Sequence, residues 1–145
     1  MSDGLTLLVN DLPDARKRLR APLTIGLPQG VSPLGFPLPR VPTRPDASLS
    51  LYLNASCRSQ NSLLTAVSGN VTFTRLFSGD LNEENSNDRV TEGSLTAVLV
   101  DPRDAVPNQV SDADVAYMFP DERTSTIEAS FNFVFHRGTP AQPFP

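Results

Sequence analysis

A length of 145 residues, 39% of them hydrophobic, suits one domain that needs no metal or disulfide to hold its core, because a chain of this size buries roughly 70% of the surface it exposes when unfolded. The formal charge of −4 disfavours phosphate backbones and with them nucleic-acid partners. No run approaches the ~18 apolar residues of a membrane helix, so membrane insertion is not expected, and the single cysteine rules out an intramolecular disulfide.

The opening MSDGLTLLVNDLPDARKRL has no basic stretch followed by a long apolar run, so no secretory signal is visible. Leu5, Leu7 and Val9 alternate with Thr6 and Leu8, which predicts a strand over 4–10. Asp11-Leu-Pro13-Asp14 then starts a short helix reaching about Leu19. Asp11 or Leu12 takes the cap, and Pro13 in the first turn loses no needed hydrogen bond. Arg16-Lys17-Arg18 with Arg20 is the best basic run, read as the solvated face of that helix.

Seven prolines follow, at 22, 28, 33, 37, 39, 42 and 45. Each fixes φ and removes a donor, so neither helix nor central strand is expected there. Yet Leu23, Ile25, Leu27, Val31, Leu34, Phe36, Leu38 and Val41 make the segment too apolar for a solvated linker. Residues 22–45 are therefore predicted to form a proline-rich extended N-terminal arm, lying on the domain's own surface or a neighbour's. Pro39, Pro42 and Pro45 keep the period of a polyproline II helix and contain Pro-x-x-Pro-x-Arg. A stiff arm with one proline face packed down is preferred to a ligand for an SH3-like groove.

Beyond the arm the pattern shifts to period two. Leu49, Leu51, Leu53, Ala55 and Cys57 alternate with mostly polar residues in a half-buried strand, which makes Cys57 an inward small hydrophobe. A longer strand is predicted over 63–77, with Val67, Val71, Phe73 and Phe77 on one face and a bulge or bend at Gly69. Asp80 to Asp88 reads as a polar loop. A strand over 90–100 turns Leu95, Ala97 and Leu99 inward, with Val98 and Val100 on a second covered face. Residues 101–108 read as loop, and Val115, Tyr117 and Phe119 as a short strand ended by Pro120. In the last strand Ile127, Ala129, Phe131, Phe133 and Phe135 alternate with Glu128, Ser130, Asn132, Val134 and His136. Three phenylalanines on one face mark it as central to the core.

These elements give a single all-β domain over 1–145, an antiparallel β-sandwich or partly closed barrel with at most one short helix. Its parts are strand and helix (1–21), arm (22–45), β body (46–138) and a proline-rich tail (139–145).

Chemistry-bearing motifs are few. The one histidine, His136, points away from the phenylalanine face, no G-x-S-x-G elbow exists, and Cys57 faces the opposite way from His136. No phosphate-binding glycine loop occurs, and one His with one Cys is a poor zinc set. Asp80, Asn82, Glu84 and Asp88 supply hard oxygens at spacings a calcium loop could use, although Asn85 stands where an EF-hand needs glycine. Glu83, Glu84 and Asp88 could pair for glycoside hydrolysis, but no Trp platform flanks them. Asn54-Ala-Ser and Asn70-Val-Thr match glycosylation sequons inside predicted strands and are read as chance.

Glu92-Gly-Ser-Leu-Thr-Ala-Val-Leu-Val-Asp-Pro-Arg, with Ile127-Glu-Ala-Ser-Phe-Asn-Phe-Val-Phe-His-Arg-Gly-Thr-Pro-Ala-Gln-Pro-Phe, resembles the strand style of cell-envelope and secreted β-sandwich domains from high-GC, myxobacteria-like proteobacteria. Eleven Arg against one Lys fit a GC-rich bacterial genome. The resemblance implies an extracytoplasmic, non-catalytic β domain: periplasmic, surface or extracellular.

The leading expectation is a non-catalytic structural or assembly protein, an envelope, surface or particle component whose partner is itself or another protein. Its arm and tail would make the contacts, through Phe36, Leu38, Pro39, Val41, Pro42, Pro45 and Phe144. The alternative is a monomeric β module holding a small apolar or sugar ligand, with or without calcium, its mouth lined by loops 80–88 and 101–114. No other cofactor is expected. A hydrolase using the acidic residues of 80–88 ranks third.

Overall fold

The computed structural model describes residues 3–27, 44–54, 61–109 and 115–136. The expected contacts at Phe36, Leu38, Pro39, Val41, Pro42 and Phe144, and the inward placement of Cys57, lie outside these residues. The fold is mostly strand: β1 (Gly4–Val9), a short helix α1 (Leu12–Lys17), β2 (Pro22–Ile25), β3 (Ala47–Leu53), β4 (Ser62–Arg75), β5 (Val90–Val100), β6 (Val106–Gln109), β7 (Val115–Met118) and β8 (Thr124–Val134). Six strands form one curled mixed sheet, a half-barrel, in the order β1-β3-β2-β4-β5-β8. β6 and β7 pair separately, so part of the stretch read as loop after Val100 is strand. Among the described residues no helix is long and apolar enough to cross a membrane.

The sheet is organised by β4. One flank is shared end to end, β3 pairing with Ser62–Thr65 and β2 with Gly69–Thr72, both antiparallel. β2 and β3 meet at a single parallel bridge, Ile25↔Ala47, which makes a sheet expected to be antiparallel a mixed one. The other flank of β4 carries β5 along most of its length, and β8 follows.

Two corrections concern the core. The first four residues of the expected arm are strand β2, and Leu23 and Ile25 are core residues. Pro22 permits this because it is the strand's first residue, leaving Leu23, Thr24 and Ile25 free to donate. In β4, Ala66 is buried and Val67 only partly so, since the register against β5 steps from Ala66↔Leu99 to Ser68↔Val98 and leaves Val67 as the bulged residue. A second step between Phe73 and Arg75 brings Leu76 inward. Leu95, Ala97 and Leu99 of β5 complete the centre of the core.

β8 is the larger surprise. It is the last strand of the sheet, not a central one, and none of its residues is fully buried. Alternation correctly separates its two faces, but Phe133 stands 57% exposed.

Helix α1 anchors one end of the sheet. Asp11 caps it, its carboxylate accepting from the Asp14 N–H at 2.9 Å, and Ala15 is buried beneath it. The basic run beside it is solvated only in part: Lys17 and Arg20 are exposed, whereas Arg16 and Arg18 are half-buried. Arg16 donates to the Leu76 carbonyl at 2.7 Å and to Asp88 at 3.2 Å, and Arg18 pairs with Asp46 at the start of β3. Asp46 also accepts from the Thr24 N–H at 2.7 Å and the Thr24 hydroxyl at 2.9 Å, which pins β2 to β3. Burial pushes the Asp46 carboxyl up; the Thr24 donors and the Arg18 guanidinium outweigh it and hold the group below its ordinary value.

A folded-state value below the unfolded one means the contribution is full above ~3.9 and is lost as pH falls through the folded value. Asp46→Asn is therefore expected to lower stability by roughly 1 kcal/mol at neutral pH. That deficit against wild type should shrink as the pH drops below ~3.9. Urea titrations of both proteins over that range check it, and a pH-independent deficit would contradict it.

Candidate apolar cleft

The half-barrel leaves its two end strands, β1 and β8, unpaired with each other, and between them lies an apolar cleft of about 450 Å³. Its floor is core: Phe73, Leu76 and Leu95 are buried. One wall comes from β1 and α1 through Leu5, Leu7, Val9 and Leu12. The other comes from β8 through Phe131 and Phe133, and Phe77 completes the lining after β4. Strand parity explains the walls, since Leu5, Leu7 and Val9 alternate onto one face of β1 and Phe131 and Phe133 onto one face of β8.

The aromatic side is ordered by ring contacts. Phe73 meets Phe131 edge to face at 5.8 Å, and Phe131 lies 6.2 Å from Phe133. Phe77 stacks on Phe135 at 4.5 Å. Such geometries are the ones aromatic quadrupoles favour. The Phe131 ring sits over Gly93, where a Cβ would come within 2.9 Å of it, so the absent side chain of Gly93 is what lets the ring down into the cleft.

Among the described residues the polar members of the lining are Thr6 and Thr91, and the Thr91 hydroxyl already accepts from the Phe77 N–H at 3.2 Å. Among the described residues no ionisable side chain lines this cleft. It offers no acid–base pair; what it can do is take an apolar body out of water. The volume falls in the range of small-molecule sites, which are concave, largely apolar and carry few polar groups.

The acidic loop is elsewhere and organised by its own contacts. Asp80 accepts from the Asn82 N–H at 2.8 Å, and the Asp88 carboxylate accepts from Arg16 at 3.2 Å and from the Asn85 side-chain amide at 2.7 Å. Glu83 accepts from the Asn85 N–H at 2.9 Å. The Ser78 hydroxyl, with that N–H, holds the Glu83 carboxyl below its ordinary value. Glu84 is exposed and has a partner of its own. Among the described residues no group of three or more His, Cys, Asp and Glu is placed to hold a metal. Among the described residues, none of 80–88 or 101–109 lines this cleft; residues 110–114 of the second expected mouth loop lie outside the described ones.

His136 is exposed just past β8 and does not line the cleft. Pro45 is half-buried, its carbonyl accepting from the Asn10 side chain at 2.8 Å, and so serves the junction before β3. The cleft residues themselves were legible as strand faces but not as a site. No protein-family model, curated protein sequence or solved structure matches this chain.

Proposed function

We propose that this protein is a non-catalytic binding module that holds a small apolar ligand in the cleft between β1 and β8. The observation that carries this reading is a cleft of about 450 Å³ whose lining, among the described residues, is aliphatic and aromatic apart from two threonines. An aliphatic or aromatic body suits it better than a sugar. A buried sugar hydroxyl without a partner costs about 1–3 kcal/mol, and the lining has few partners to give. Calcium plays no part in this reading: Asp80 and Asp88 are already engaged within their own loop and by Arg16.

Self-association through arm and tail is a separate proposal resting, Pro45 apart, on residues outside the described ones. The cleft reading does not need it.

The test uses the neutral fluorophore N-phenyl-1-naphthylamine as probe. Wild-type protein is expected to enhance its emission saturably and to gain melting temperature as the probe is added. Leu5→Glu, a charge at the rim of the cleft, is expected to weaken probe binding about tenfold or more, because the carboxylate must be desolvated when the cleft fills. Leu63→Glu, on an exposed side chain away from the cleft, serves as control. Saturable binding that Leu5→Glu leaves untouched would move the site elsewhere, and no binding by wild type would end the proposal.

A further inference from the structure

We infer that the outer edge of β8 is a self-pairing interface through which two copies of this chain join their sheets into one. Among the described residues β8 ends the sheet: β5 runs along one side and no strand along the other. The Phe135 N–H donates to the Arg89 carbonyl at 2.8 Å, and the β5–β8 register continues unbroken from Val90↔Val134 to Val100↔Thr124. Hydrogen-bonded pairs alternate along an antiparallel ladder, so the odd-numbered residues of β8 bond to β5. The N–H and C=O groups of Thr126, Glu128, Ser130, Asn132 and Val134 therefore turn to the open edge.

Edges of this kind are normally blunted by lysine, proline, a bulge or a very short strand. β8 uses none of these. It runs 11 residues, has no proline, and carries Glu128 as its one charge. Its pairing with β5 shows no register shift.

The strand is also complementary to itself. With a two-fold axis at Ser130, Glu128 lies opposite Asn132 of the partner subunit, so the carboxylate meets an amide and not its own copy. On the concave face the same register sets Phe131 against Ala129 of the partner subunit, and Phe133 against Ile127 of the partner subunit. Phe133 with Ile127 is an aromatic–β-branched pair, a combination that stabilises neighbouring antiparallel strands. Phe133 and Val134, 57% and 46% exposed, gain cover on opposite faces of the joined sheet. Because the contact is isologous, each β8 edge is consumed by the other and the assembly stops at a dimer through this surface. The interface shares Phe131 and Phe133 with the cleft but needs no bound ligand, and the two proposals are tested separately.

Sedimentation velocity of the full chain across a dilution series tests it, with Ser130→Pro as the decisive variant. Proline at 130 removes an N–H that faces the open edge, so the β5 ladder keeps its bonds while the edge loses its centre. Wild type is expected to sediment as a dimer at the upper concentrations, and Ser130→Pro as a monomer with an unchanged circular dichroism spectrum. A second measurement does not depend on proline: Ser130→Cys in a Cys57→Ser background should form a disulfide-linked dimer on mild oxidation, since the axis brings the two positions within bridging distance. A wild-type monomer throughout, a folded Ser130→Pro dimer, or a Ser130→Cys chain that stays unlinked would each overturn the inference.

Discussion

Gly69→Ala is expected to cost roughly 3 kcal/mol or more, from strained backbone and overpacking together, and to leave the chain largely unfolded under conditions where wild type is folded. Gly69 sits at φ +151, a backbone conformation that residues with a Cβ rarely adopt. A Cβ there would come within 2.4 Å of the Thr96 carbonyl oxygen and 2.7 Å of the Ala97 Cα. Both are backbone atoms of β5, held by the ladder on either side, so neither can swing away as the tip of a side chain could. Gly69 is also where β2 begins its pairing with β4, one residue past the bulge step at Ser68. Bulges and glycine kinks are the devices that bend a sheet toward closure. The substitution should therefore harm the curl itself, not one contact. Urea denaturation of Gly69→Ala beside Gly4→Ala, a glycine with open space around it, separates the effect from a general loss of glycine. Equal stability of the two variants would show that the close approach at Gly69 is not a constraint.

The same position marks how far the sequence could be read. The faces of β1, β3 and β5 follow from alternation, and Leu49, Leu95, Ala97 and Leu99 are buried as the period of two requires. The cap at Asp11 and the short helix after it follow from local chemistry. In β4 the reading fails at Val67 because one extra residue inverts the parity up to that point, and an insertion of one residue leaves no trace in composition. Gly69 is its only local sign. β2 was hidden by Pro22, whose effect depends on whether it stands first in a strand or inside one. The cleft was not legible at all. It exists because β1 and β8, from opposite ends of the chain, come to rest at the two ends of one curled sheet, and strand order is a long-range property that periodicity does not carry.

That distinction gives a sharp contrast between two apolar side chains. Leu99→Ala is expected to destabilise the protein by about 2–5 kcal/mol, the range for a buried leucine whose cavity cannot collapse. Leu99 is 2% exposed, lies on a strand flanked on both sides, and faces Ala66 across the ladder, a residue too small to fill the space left behind. Phe133→Ala is expected to cost ~1 kcal/mol or less, because its ring stands at the rim of the cleft and most of what it loses is one tilted contact with Phe131. From alternation alone the order would be reversed, the phenylalanine row of β8 being the most apolar face in the chain. Both substitutions should be compared in the Ser130→Pro background, so that pairing along β8 does not add to the cost at Phe133. If Phe133→Ala there proves as damaging as Leu99→Ala, the phenylalanine row is core. Something beyond the described residues would then cover the β8 edge, and the cleft would be filled by the chain itself and closed to a ligand.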